Sequence, residues 1–159
     1  MTVGQSAALV RRLKAGGLDL VYVRREPGIE DGRVVRREQL IWGAHPSLRF
    51  DAEEPVPLVT YPRPSHSRQS AIDALEEAGR RWRTACTVRD ITGVLAAVRA
   101  ALGVAVFPAT MMPGDLERVD GALRLPPLGV LEFALLDDPA ASRPAVEALS
   151  AAITSSPLV

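Results

Sequence analysis

The 159-residue chain carries 19 basic and 19 acidic side chains, for a formal charge of zero. It therefore lacks the one-signed field that neutralises a phosphate backbone, and no direct nucleic-acid contact is expected of it. Its 47% apolar content suffices for one domain or for two small lobes sharing a core.

Ser6 suits a helix N-cap; Leu9, Val10 and Leu13 then share one face, and Gly16 or Gly17 supplies the stop. LDLVYV, residues 18–23, is almost continuously apolar and predicts a strand covered on both faces by helices. REPGIEDGR, with Pro27, Gly28, Asp31 and Gly32, reads as a turn, and residues 34–42 as a second strand. HPSLRFDAEEPVP is a proline-punctuated connector that reads as a crossing between lobes.

LVTY, residues 58–61, predicts a short strand, followed by a helix with Ser65 or Ser67 at its start, Gly79 at its stop and Ile72, Leu75 and Ala78 facing inward. TACTV, residues 84–88, is the next strand. Asp90 can cap a helix with Ile91, Leu95, Val98 and Leu102 at helical spacing, which Gly103 ends. VAVFP, residues 104–108, predicts a buried strand, residues 110–114 a turn, residues 116–119 a short strand and residues 131–136 a longer one. Ser142 caps a final helix with Val146, Leu149 and Ile153. This β-α-β-α-β alternation favours a parallel sheet with helices on both faces.

Cys86 is the single cysteine, which excludes a disulfide framework and a cysteine-based zinc site and makes a reducing, cytoplasmic location the expectation. Gly4, Gln5 and Ser6 interrupt the apolar run that a signal peptide needs, and no stretch approaches the roughly 20 apolar residues of a membrane span. The 18 arginines against one lysine are scattered along the chain rather than gathered on one face.

Four stretches, SAALVRRLKAGGLDLVYVRRE, REQLIWGAHPSLRF, PVPLVTYPRPSHSRQSAIDALEEAG and LAAVRAALGVAVFPATM, follow one another in an order that resembles the effector-binding, or substrate-binding, domain of LysR-type transcriptional regulators. The REPGIEDG turn, the REQLIW strand and the LPPL segment at Pro126 look most like regulators of the motility-repressor type. The resemblance implies an α/β, two-lobed fold similar to type 2 periplasmic binding proteins. Its two crossing strands would be residues 38–44 and 131–137, with lobe one made of residues 1–43 and 135–159 and lobe two of residues 44–134. It also implies that a strand, a helix and a further strand normally precede TVGQSAALV, behind a helix-turn-helix domain and linker helix. The chain is thus expected to be a truncated form with an open sheet edge at LDLVYV. Self-association, or pairing with an intact regulator, is the expected consequence.

Ligands of doubly wound folds sit at strand carboxyl ends and helix amino ends, where unpaired N–H groups favour carboxylates. Three such places are Gly4 to Ser6, Pro64 to Arg68, and Asp90 to Thr92. The resemblance implies a cleft lined from the first two, from Arg24 and from residues 107–110. The candidate contacts for a small-molecule effector, a carboxylate by expectation, are Gln5, Ser6, Arg24, Tyr61, Ser65, His66, Ser67, Arg68 and Thr110.

Each has a plainer reading. Ser6 and Ser67 serve as helix caps. His66 is a solvated loop residue, Arg68 a surface charge near Asp73, and Tyr61 a packing residue. Arg24 and Arg25 form a turn paired with Glu26 or Glu38. No nucleophile elbow, Walker loop, HExxH or GxGxxG is present, and Asp137 and Asp138, adjacent on a strand, point to opposite faces. Catalysis, a metal and a cofactor are accordingly not expected. The alternatives to an effector-binding regulatory domain are a free-standing solute-binding protein of the same fold and a ligand-free dimerisation or interaction module.

Overall fold

In the computed structural model, which describes residues 6–25 and 32–155, the chain passes twice between two folding units. Met1–Glu38 with Val130–Val159 form the first unit and Gln39–Gly129 the second. In chain order the elements are α1 (Ser6–Lys14), β1 (Leu20–Arg24), β2 (Arg33–Ala44), β3 (Val56–Thr60), α2 (His66–Glu77), β4 (Trp82–Thr87), α3 (Ile91–Arg99), β5 (Ala105–Pro108), a 3-10 turn (Ala109–Met111), β6 (Glu117–Arg118), β7 (Val130–Asp137) and α4 (Arg143–Ser155).

In the first unit α1 stops where the sequence predicts. Gly16 adopts φ +67°, and the amides of Gly16 and Gly17 donate back to the carbonyls of Leu13 and Arg12 at 2.9 Å, the double bond of a Schellman stop. Strand β1 departs from expectation. Its apolar run predicts two covered faces in a parallel sheet, yet it pairs antiparallel with β7, from Leu20 opposite Asp137 to Arg24 opposite Phe133. Only Val21 and Val23 are buried, packed with Val10 and Leu13 of α1 and with Ala134 and Leu136 of β7. On the other face Tyr22 stacks on Phe133, ring centroids 5.3 Å apart. Sheet order in this unit is β1-β7-β2.

In the second unit β3 and β4 pair in parallel, and Val104, just ahead of β5, bridges in parallel to Leu58 of β3. Strand β5 then runs antiparallel to β2, from Leu40 opposite Pro108 to Gly43 opposite Ala105. The core holds Trp42, Phe107, Leu58, Leu75, Val56, Val98 and Val104, all below 2% exposure. Trp42 keeps its indole N–H satisfied by donating to the Pro126 carbonyl at 2.7 Å.

Three sequence expectations change here. Gly103 does not end α3: the helix closes at Arg99, and Ala101 takes the left-handed conformation at φ +54°. Gly103 is needed elsewhere, because a Cβ on it would lie 2.3 Å from the Pro57 carbonyl oxygen. The buried stripe of α3 is Val94, Ala97 and Val98, whereas Ile91 and Leu102 are each 49% exposed. On α2 the inward residues are Ala71, Ile72 and Leu75; Ala78 is the C-terminal cap and lies at the surface.

Candidate functional site

The second unit brings together the carboxyl ends of three strands, the parallel pair β3 and β4 and, joined to β3 by the bridge between Leu58 and Val104, β5. Thr60 ends β3, Thr87 ends the parallel β4, and Pro108 ends β5. From these ends depart α2, α3 and the 3-10 turn, so the amino termini of two helices open beside them. This is the place where doubly wound folds hold ligands.

Helix α2 is capped by Ser65, not Ser67: the Ser65 hydroxyl accepts from the Arg68 amide at 3.3 Å. Ser65 is extended, as a cap must be, while Ser67 already lies inside the first turn, its hydroxyl 3.2 Å from that of Ser65. His66 opens the helix with Nε2 3.4 Å from the Ser70 hydroxyl. Asp90 caps α3 as expected, accepting from the Gly93 amide at 2.8 Å. Tyr61, directly after β3, is half-buried against the core. Burial first, and the Asp90 charge second, raise its hydroxyl above the ordinary tyrosine value.

Ser67 and Tyr61 share a narrow cavity with Thr60, Ala71, Trp42 and Val94, in which the space open to a water-sized sphere is about 10 Å³. That is room for about one water. A larger depression of about 300 Å³ lies in the first unit, over Leu13, Lys14, Gly32 and residues 136–139. None of the predicted contacts lines it. The carboxyl end of α1 with Asp137 and Asp138 makes it unsuited to an anion.

The predicted contacts therefore divide. Tyr61, Ser65, His66, Ser67 and Thr110 belong to the strand ends of the second unit, Thr110 exposed in the 3-10 turn. Arg68 leaves them: its guanidinium carbon sits 6.0 Å from the Trp82 ring centroid, at the opposite, amino end of β4. Its expected neighbour Asp73 instead accepts from Gln69 at 2.6 Å. In the first unit Ser6 begins α1 and Arg24 ends β1, both half-buried, while Gln5 lies outside the described residues. Arg25 pairs with Glu132 at 3.2 Å, and Glu38 with Arg36; Glu26, the other expected partner in the turn, lies outside the described residues.

Sequence reasoning missed Thr60, which is 6% exposed and lines the cavity beside Ser67. A hydroxyl at the last position of an otherwise apolar strand was the available cue. Among the described residues no group of His, Cys, Asp and Glu could hold a metal ion, and no helix is long and apolar enough to cross a membrane.

An α/β chain with helix termini gathered at strand carboxyl ends defines a ligand-binding class of fold. Within that class, the sequence matches the LysR substrate binding domain over residues 1–156, and the chain belongs to that family. It is an effector-binding domain of the LysR type. It is 33% identical over 135 residues to the HTH-type transcriptional regulator DgdR of Burkholderia cepacia, covering 85% of this chain and 46% of that one, so it spans about half the length of that relative. The regulatory domain of HypT from Salmonella typhimurium, in its apo form, superposes with TM-score 0.68 at 16% identity over 95% of this chain and 81% of that one. The BenM effector-binding domain with its effector benzoate gives TM-score 0.59 at 17% identity, covering 98% and 80%. Both likenesses are of fold.

Proposed function

We propose that the chain senses a small organic carboxylate at the strand carboxyl ends of the second unit, through Tyr61, Ser65, His66, Ser67 and Thr110. The observation that carries this reading is the pair of helix amino termini, α2 and α3, opening beside Tyr61. Their N–H groups and dipoles favour an anion there. With Arg68 turned to Trp82, those N–H groups and His66 would meet the carboxylate in place of a guanidinium. Ser6 and Arg24 lie in the first unit and Gln5 lies outside the described residues; the two units are read as the two lobes of the fold. In a full-length regulator, effector binding would shift the population of conformations communicated to DNA-bound domains. The role is regulatory and not catalytic, the location cytoplasmic, and the subfamily that of motility-repressor-like regulators.

Thermal denaturation of the purified chain with benzoate, succinate and the common amino acids tests the reading. A saturable rise in melting temperature is expected for at least one carboxylate, because ligand binding to the folded state stabilises it by mass action. Tyr61→Ala is expected to abolish the rise while the chain stays folded. The tightness of the space under Ser67 favours a second reading, a ligand-free interaction module, and a folded sample that no compound stabilises transfers the assignment to it.

A further inference from the structure

The narrow cavity at the carboxyl end of β3 lies wholly within the second unit. Its walls are mainly apolar, with Leu58, Val94 and Val104 among them, and no charged side chain lines it. The Trp42 N–H is already engaged by the Pro126 carbonyl, which leaves the hydroxyls of Thr60, Tyr61 and Ser67 as the polar groups of the lining. Thr60 is the most enclosed of the three, at 6% exposure. Its backbone carbonyl accepts from the Val88 amide at 2.9 Å, but its hydroxyl has no hydrogen-bond partner among the described residues. A polar group so enclosed normally has one. Ser67 lies 3.2 Å from Ser65, hydroxyl to hydroxyl; a hydroxyl donates once and accepts twice, so Ser67 keeps capacity for a further bond.

Resting on the carboxylate reading above, we propose that the effector also carries a hydroxyl group, which enters this cavity and bonds Thr60 and Ser67. Three properties select that group. The open space of about 10 Å³ admits about one non-hydrogen atom. A charged group is excluded, because burial would strip its water and no charge of opposite sign lines the walls. A methyl group would fit by size but would shut the Thr60 hydroxyl away from water unpaired. A hydroxyl, which both donates and accepts, satisfies Thr60 and Ser67 together. Tyr61 and Ser67 border the strand-end site as well as the cavity, so a carboxylate at the helix amino termini and a hydroxyl here belong to one ligand. The effector is then a hydroxylated carboxylate, and Thr60 is the residue that selects it.

Calorimetric titration of the chain with matched acids that differ by one hydroxyl tests this: benzoate against 3-hydroxybenzoate, succinate against malate, and butyrate against 3-hydroxybutyrate. In at least one pair the hydroxylated member is expected to bind about tenfold more tightly. Thr60→Val keeps the branched shape and removes the hydroxyl; it is expected to abolish that advantage and to leave the affinity of the other member unchanged. As a second readout, the melting temperature of the unliganded Thr60→Val chain is expected to equal or exceed that of the parent, because an unpaired enclosed hydroxyl has been removed. A lowered melting temperature would assign the hydroxyl to the fold and overturn the proposal. Pairs whose members bind alike overturn it too, as does an advantage that survives Thr60→Val, and in both cases the carboxylate reading stands. Saturable binding by none of the six acids takes down both.

Discussion

Strand β2 belongs to both units, and its two halves differ. From Arg33 to Glu38 only Glu38 is buried, whereas every residue from Leu40 to Ala44 is. The same contrast runs through the units. Among the described residues, all seven of the largest fully enclosed side chains, from Trp42 to Val104, lie in the second unit. The cluster of the first contains nothing larger than leucine, and its strands are tied by Glu132, which reaches Arg25 of the β1 end at 3.2 Å and Arg37 of β2 at 2.8 Å. Apolar burial stabilises at about 25 cal/mol per Å² and is indifferent to pH, whereas half-exposed ion pairs contribute little and fade with salt and acid. The second unit should therefore set the stability of the chain, and the first should respond to solution conditions.

The sharpest way to break that contrast is Trp42→Ala. It removes the largest enclosed side chain and its bond to Pro126, and a loss of about 3–5 kcal/mol is expected in urea unfolding. Leu13→Ala, the corresponding truncation in the first unit, should cost about 2–3 kcal/mol, near the low end for leucine, because its surroundings are less enclosed. Equal losses would remove the distinction. Gly103→Ala probes the second unit's tightness from the opposite side. The added methyl meets the Pro57 backbone, which is held by the Val104 amide at 2.8 Å and cannot retreat freely. A cost of about 1–3 kcal/mol is expected, as for overpacking.

The pair Ala101 and Gly103 also shows where the sequence was legible. Helical spacing and the cap Asp90 placed α3 correctly at its start, because capping is local chemistry. Its stop was misassigned because two independent demands sat two residues apart. A left-handed residue was needed at 101, and a residue without a side chain at 103; the sequence places its glycine at the second. Close approach to Pro57 is a tertiary fact, and no local pattern announces it. Strand β1 failed similarly, since a continuous apolar run does not distinguish a strand covered on both faces from one with an aromatic stack on its outer face. For the candidate site, the strand-end positions of Tyr61, Ser65 and His66 followed from chain order, but the course of a long side chain did not. Arg68 could be placed at the start of α2; that it turns to Trp82 depends on β4, which lies 14 residues on in sequence. Ala101→Gly makes the same point constructively. Relief of the left-handed strain should raise stability by about 0.5–1 kcal/mol, measured as a shift in urea midpoint at constant slope.

The smallest effect expected is that of Glu132→Gln, and it sharpens the contrast through its pH dependence. The hydrogen bond from Arg37 is the largest cause holding the Glu132 carboxyl below the ordinary glutamate value; the Arg37 charge and Arg25 add to it, against some desolvation. A carboxylate whose value is lowered on folding binds protons less readily in the folded than in the unfolded chain. Its contribution is therefore fully present above the unfolded value of about 4.3, and is lost as pH falls through the lower, folded value. Glu132→Gln should lower the melting temperature at pH 7 in low salt, by less than any change above. The difference from the parent chain should shrink below about pH 4, and also in high salt, because Arg37 is largely exposed. Trp42→Ala should show neither dependence. If the two variants responded alike to acid, charge would not be what joins the strands of the first unit.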